Sequence, residues 1–372
     1  MIRTHQHHPL SMTASSSNPS ATALGKIDAE SSVQPQKPPA NPYSQVKIDH
    51  IALTGRAVLA PMSGVTDYPF RKLAHQWGAP LVVSEMVASK SLMQDHQDTQ
   101  RRMIGEHLRP FVVQLAGREA YWMGEAARLS EQMGADIIDI NMGCPAKQVT
   151  KGLSGSALMQ NLDHALTLIE AVVAAVKLPV TLKMRLGWDK NSINAPTLAQ
   201  RAEAAGVAAF TVHGRTRQQF YKGKANWSEV KAVCQATNKS VFVNGDIKTL
   251  KDAKTALAES TADAVMIGRG AYGAPWKPAL IADQLAGGDT SSPTVTQMAE
   301  TINTHYELML SHYGREFGVK SARKHLGWYV ETLESCPTQQ KVWRQKLCTA
   351  EAPQDVQNTL QEFFKIKADN AQ

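Results

Sequence analysis

Eight short apolar runs, each followed by a stretch with helical character, set the narrowest limit on what this chain can fold into. They lie at 58–62, 81–85, 111–115, 137–142, 180–185, 210–213, 241–244 and 265–268. Runs that stay apolar at successive positions are buried on both faces, as parallel strands are. Between them, 120–133 sets Met123, Ala127 and Leu129 near one helical face, with Gly134 as a stop. The stretch 161–176 carries Leu162, Ala165, Leu166, Ile169 and Val173 at spacings of three and four. The segments 197–205 and 249–258 follow the same habit. Eight strand–helix units predict an α/β fold closed as a (β/α)₈ TIM barrel in preference to an open doubly wound sheet. Polar and glycine-containing residues fall at the C-terminal ends of the runs, the catalytic face of such a barrel.

The barrel is assigned to 46–285 and is flanked by segments of other character. Residues 1–45 are rich in Ser, Thr, Ala, Gln and Pro and lack periodicity, so a disordered extension is expected. His5, His7 and His8 there read as a solvated tail in preference to a metal site. The scarcity of acids leaves a transit peptide open, and Met12 is an alternative start. After Trp276 strand signals stop. Helices are expected at 294–313, 320–333, 339–347 and 354–366, with Pro337 and Pro353 as breaks, giving a small all-helical C-terminal domain at 294–368.

No stretch approaches the roughly 18 apolar residues of a membrane span. The four cysteines, Cys144, Cys234, Cys336 and Cys348, have neither CxxC nor zinc spacing, which fits a reduced, cytoplasmic protein without a metal. The net charge of +7 is compatible with a polyanionic partner but does not establish one. From residue 295 onward nine basic residues balance nine acidic ones, yet Arg315, Lys320, Arg323, Lys324, Lys341, Arg344 and Lys346 cluster with only three acids among them. Alone, such a cluster reads as a solvated face. With His325, Trp328 and Tyr329 interleaved, it also suits RNA bases and backbone.

The last two runs end in Val243-Asn244-Gly245-Asp246 and Ile267-Gly268-Arg269-Gly270. Loops after the seventh and eighth barrel strands commonly hold phosphate, and glycine lets main-chain N–H groups approach it while Arg269 adds a cation. Tight turns are the plainer alternative. The fifth run ends in Lys183-Met184-Arg185 and the sixth in His213-Gly214-Arg215, so protonatable groups converge on one mouth. That suits an anionic reduced flavin, and the Gln114 amide can bond its pyrimidine-like edge. The fourth run ends in Asn141-Met142-Gly143-Cys144-Pro145, placing a cysteine where it can act as nucleophile or acid. Cys234, inside a helical stretch, reads as core filler.

Four segments taken in order, Leu59-Ala60-Pro61-Met62-Ser63-Gly64-Val65-Thr66-Asp67, Asp139-Ile140-Asn141-Met142-Gly143-Cys144-Pro145, His213-Gly214-Arg215-Thr216 and Asn244-Gly245-Asp246, resemble the tRNA-dihydrouridine synthase family. The likeness runs from about residue 47 to 277 and continues through Arg323-Lys324-His325-Leu326-Gly327-Trp328-Tyr329; it is closest to the bacterial B branch. The resemblance implies FMN held by Pro61, Met62, Ser63, Gln114, Lys183, His213, Asn244, Gly245, Asp246, Gly268 and Arg269. It implies Cys144 as general acid, Asn141, Arg185 and Tyr221 at the target uracil, and Arg323 and Lys324 among the tRNA contacts. The implied activity is reduction of a D-loop uridine by NADPH-reduced flavin, in a cytoplasmic monomer. Two other readings stay open from the residues: a flavin barrel reducing a free pyrimidine, and a tRNA-binding protein with a vestigial barrel.

Overall fold

A computed structural model describes residues 45–369 apart from Asp95 and Glu106, all within one compact unit. The expectations for 1–44, including the three histidines and the alternative start, lie outside the described residues.

Seven of the eight predicted runs supply strands of one parallel sheet, in which the second strand falls just after its run of 81–85. Its strands are β1 (Ala57–Leu59), β2 (Val87–Ala88), β3 (Val112–Ala116), β4 (Ile137–Met142), β5 (Val180–Arg185), β6 (Ala209–His213), β7 (Ser240–Asn244) and β8 (Ala264–Ile267). From β2 to β8 each strand pairs with its neighbour in sequence, and β8 returns to β1 with Val58 opposite Met266. Closure on the other side runs through single bridges, Leu59 to Val82 and Val83 to Val112. The second run, 81–85, thus contributes bridges at Val82 and Val83, and the strand itself follows at Val87–Ala88. The Ser84 hydroxyl accepts the Gln114 N–H at 2.9 Å where a main-chain carbonyl would otherwise continue the ladder. An antiparallel pair, Lys47–Ile48 with Ile51–Ala52, brings Val46, Ile48 and Leu53 into one apolar cluster with strand-start residues such as Val58, Val112 and Phe242. That end of the barrel is filled, and the opposite mouth is where polar groups collect.

The crossover helices are α1 (Tyr68–Gln76), α2 (Ala120–Gln132), α3 (Leu162–Ala175), α4 (Ala195–Ala204), α5 (Lys231–Ala236), α6 (Leu250–Ser260) and α7 (Lys277–Leu285). Their caps are local: the Asp67 carboxylate accepts the Phe70 N–H that starts α1, and Thr249 with Asp252 closes a capping box on α6. Cys234 is buried in α5, as expected of core filler.

Four helices follow: α8 (Val295–Tyr313), α9 (Arg315–Leu333), α10 (Pro337–Thr349) and α11 (Pro353–Asp369). Pro337 and Pro353 are the first residues of α10 and α11, where a missing N–H costs nothing. Helix α9 begins five residues before the predicted start. Gly318 does not interrupt it; a Cβ there would lie 2.8 Å from the Met309 carbonyl, so this glycine is where α9 crosses α8. The apolar core of these helices includes Ala274 and Trp276 from the segment after β8.

The two parts also meet at Phe70 of α1, fully buried with its ring 5.8 Å from that of His305 and 5.7 Å from that of His325. Phe70→Ala is expected to lower stability by about 3–5 kcal/mol, read as a lower urea midpoint at an unchanged denaturant slope.

Candidate active site

The C-terminal ends of the strands converge on a cleft of about 890 Å³. Every site residue expected on the barrel strands and their loops lines it: Pro61, Met62 and Ser63 after β1, Gln114 of β3, and Asn141 and Cys144 at β4. Lys183 and Arg185 come from β5, and His213 and Tyr221 from β6 and its loop. Asn244, Gly245 and Asp246 follow from β7, and Gly268 and Arg269 from β8. Arg323 and Lys324 are not among the lining residues. The Arg323 guanidinium donates to the Ala350 carbonyl at 3.2 Å, and Lys324 is exposed, its Nζ near Gly64.

The aromatic part of the expected RNA surface is corrected by the fold. His325 and Tyr329 are each 2% exposed, and Tyr329 Oη bonds His305 Nδ1 at 2.8 Å, so neither ring is available to a base. They share the buried side of α9 with Val319, Ala322, Leu326 and Val330. That three-and-four spacing was visible in the sequence and outweighs the neighbouring cations. Trp328 does face the cleft, stacked on Tyr272 with centroids 4.0 Å apart. Tyr272, Glu331 and Thr332 complete this wall, and no motif marked them beforehand.

Cys144 is partly exposed in the turn after β4, unlike the buried Cys234. The Asn141 carbonyl oxygen Oδ1 accepts from the main-chain N–H of Gly143 at 3.1 Å and of Cys144 at 3.0 Å. Ser156 donates to the Cys144 carbonyl through both its hydroxyl and its N–H. Arg185 ties the turn to the loop after β6. Its Nε donates to the Gly143 carbonyl at 2.8 Å, and Nη1 to the carbonyls of Thr216 and Phe220. The Tyr221 ring lies 5.6 Å from the Arg185 guanidinium and 4.8 Å from that of Arg269.

Lys183 donates to Asn244 Oδ1 at 3.2 Å. Burial, with Arg185 beside it, brings its ammonium down to about 8, against the pull of Asp139 and Cys144. His213 is driven well below its ordinary value by burial and by Arg185, Lys183, Arg215 and Arg269, so it is a neutral imidazole near pH 7. Both Asp246 oxygens are engaged, one by Arg215 at 2.5 Å and the other by Arg269 at 3.3 Å. Two guanidinium groups against one carboxylate leave this corner with net positive charge. Gly245 beside it has φ +119, and a Cβ would lie 2.7 Å from Ala225 and 2.9 Å from the His213 ring, so only glycine fits.

A closed barrel with a thiol, a buried ammonium and a cationic corner at one mouth defines a (β/α)₈ enzyme with its site on the C-terminal face. The family model described as dihydrouridine synthase matches residues 58–369. The chain belongs to that family and is an oxidoreductase. It is 54% identical over 281 residues, 76% of this chain and 87% of the relative, to a protein of Rhizobium leguminosarum bv. phaseoli named "Probable tRNA-dihydrouridine synthase". It is 44% identical over 292 residues, 78% of this chain and 87% of the other, to tRNA-dihydrouridine synthase B of Pseudomonas syringae pv. tomato. Among solved structures, a 2-naphthoyl-CoA reductase complexed with 2-naphthoyl-CoA has a similar fold, with TM-score 0.53 and 12% identity over 66% of this chain and 52% of that one. Among the described residues no helix is long and apolar enough to cross a membrane, and no group of three or more metal-ligating side chains occurs.

Proposed function

We propose that this chain is an FMN-dependent tRNA-dihydrouridine synthase that draws electrons from NADPH. It acts in the cytoplasm as a monomer, with residues 46–285 as catalytic barrel and 294–368 as the tRNA-binding part. The observation that carries this reading is Cys144 lining one cleft with Asn141, Lys183 and Arg269, in a chain of this family.

The residues present fit the flavin. The cleft lies within the range of about 300–1,000 Å³ usual for ligand sites. Its cationic corner at Arg215, Arg269 and Gly245 suits a phosphate. Pro61, Met62 and Ser63 would form one wall for the ring. Gln114, Lys183 and the neutral His213 would meet its polar edge, and Asn244, Gly245, Asp246, Gly268 and Arg269 the phosphate end. When bound and reduced, the flavin supplies a hydride to C6 of uracil.

The chain supplies the rest. Cys144 Sγ–H delivers a proton to C5, so the 5,6 double bond becomes single and the thiolate regains its proton from solvent. Asn141 and Arg185 hold the uracil and the turn that carries the thiol, with Tyr221 packed at the rim. The base must leave its stack to reach the cleft, and that favours a loop such as the D-loop. Lys324 would contact tRNA phosphate, while Arg323 would serve that surface by holding α9 to Ala350.

The test is nucleoside mass spectrometry of tRNA from a strain deleted for the gene, with and without complementation. Dihydrouridine lost at one position and restored by the wild type supports the reading. Dihydrouridine unchanged, in a strain without a second synthase, overturns it. Binding gives a second prediction. If three or four phosphates are neutralised, tRNA affinity falls about 20- to 150-fold between 50 and 200 mM salt. A reductase of free pyrimidines would show no such tRNA binding.

A further inference from the structure

Asp139 is 5% exposed inside β4, is not among the residues that line the cleft, and has been given no role above. It ends a directional chain of hydrogen bonds. The N–H groups of Gly143 and Cys144 donate to Asn141 Oδ1. Asn141 Nδ2 donates to Gln114 Oε1 at 2.8 Å, and Gln114 Nε2 to Asp139 Oδ2 at 2.7 Å. The other Asp139 oxygen accepts the Thr181 hydroxyl at 2.6 Å.

A side-chain amide has one end that only accepts and one that only donates. Two main-chain N–H groups therefore fix Asn141 from one end of the chain, and a carboxylate fixes Gln114 from the other. Reversing Gln114 would set its oxygen against Asp139 and its nitrogen against the nitrogen of Asn141. With this orientation each amide nitrogen keeps a second N–H, and both residues line the cleft. That wall offers donors, which complement carbonyl oxygens and conflict with an exocyclic amino group.

We propose that Asp139 is a positioning residue that sets the polarity of the Gln114 and Asn141 amides, so that the site accepts dioxopyrimidine edges in preference to aminopyrimidine ones. The inference rests on the function proposed above for the identity of the ligand, and on the hydrogen-bond chain for the role of Asp139. Asp139 is raised to about 6 by burial, opposed by its bonds to Gln114 and Thr181 and by Lys183, which leaves it an acceptor at neutral pH.

The test separates acceptor geometry from charge and from packing. Asp139→Leu keeps the shape and removes the acceptor. Asp139→Asn removes the charge but can still turn an oxygen to Gln114 and its amide to the Thr181 hydroxyl. Hydrogen exchange at Gly143 and Cys144, read by peptide mass spectrometry on the protein alone, should rise roughly tenfold or more in Asp139→Leu. In Asp139→Asn it should stay within about threefold of wild type. The dissociation constant for FMN should follow the same order. Asp139→Val serves as the acceptor-free variant if the leucine variant does not fold. Wild-type protection in the acceptor-free variant overturns the proposal, and so does equal loss in Asp139→Asn, which would assign the effect to charge. Because exchange needs no substrate, an inactive wild type would count against the proposed function alone.

Discussion

Cys144→Ala is expected to bind FMN as wild type does while reducing unmodified tRNA about 10²- to 10⁴-fold more slowly in a single turnover. The size follows from what is removed. The thiol is that of the one cysteine among the residues that line the cleft, and its turn is held independently by Asn141, Ser156 and Arg185 through main-chain atoms. Loss of Sγ therefore leaves the turn standing, and the deficit reports proton delivery. Reduction of bound flavin by NADPH should be unchanged in stopped-flow absorbance. Near wild-type turnover on tRNA by this variant would remove Cys144 from the mechanism.

The second large effect is expected at Lys183. Lys183→Met should slow uridine reduction by about 10²- to 10³-fold, and the potential of bound FMN should fall because its anionic reduced form loses a buried cation. Without bound flavin, stability gives an independent check. The Lys183 ammonium lies at about 8 in the folded protein, against 10.5 ordinarily. Between those values the unfolded chain holds the proton and the folded one does not. Stability gained from this group therefore rises with pH from about 8 to 10.5, by on the order of 3 kcal/mol. The wild type should show that rise relative to Lys183→Met in urea titrations across this range. Parallel curves for the two proteins would place the Lys183 ammonium at its ordinary value.

The barrel was legible because continuous apolar runs have few other uses, and because residues at their ends must share one mouth once the sheet closes. That is why Asn141, Lys183, His213 and Asn244 could be grouped without coordinates. Local chemistry that needs a partner from elsewhere was not legible. Ser84 interrupts its own run through a bond to Gln114 on the neighbouring strand, thirty residues on. Asp139 looks like one polar residue in a buried strand until Gln114 and Thr181 are placed beside it. His325 and Tyr329 were misjudged for the reverse reason. Adjacency in sequence to Arg323 and Lys324 was given weight that belonged to the helical period.

The core shared by Trp276, Phe70 and the last four helices bears on how such a chain can be inherited. A barrel cut loose before α8 would bare the Phe70 ring and leave the cleft without the wall built by Trp328, Glu331 and Thr332. Recombination that exchanged only the helical part would have to conserve that seam residue by residue. Diversification of this architecture is therefore expected to proceed by substitution on the outer faces of α8 to α11, with the joint handed down intact.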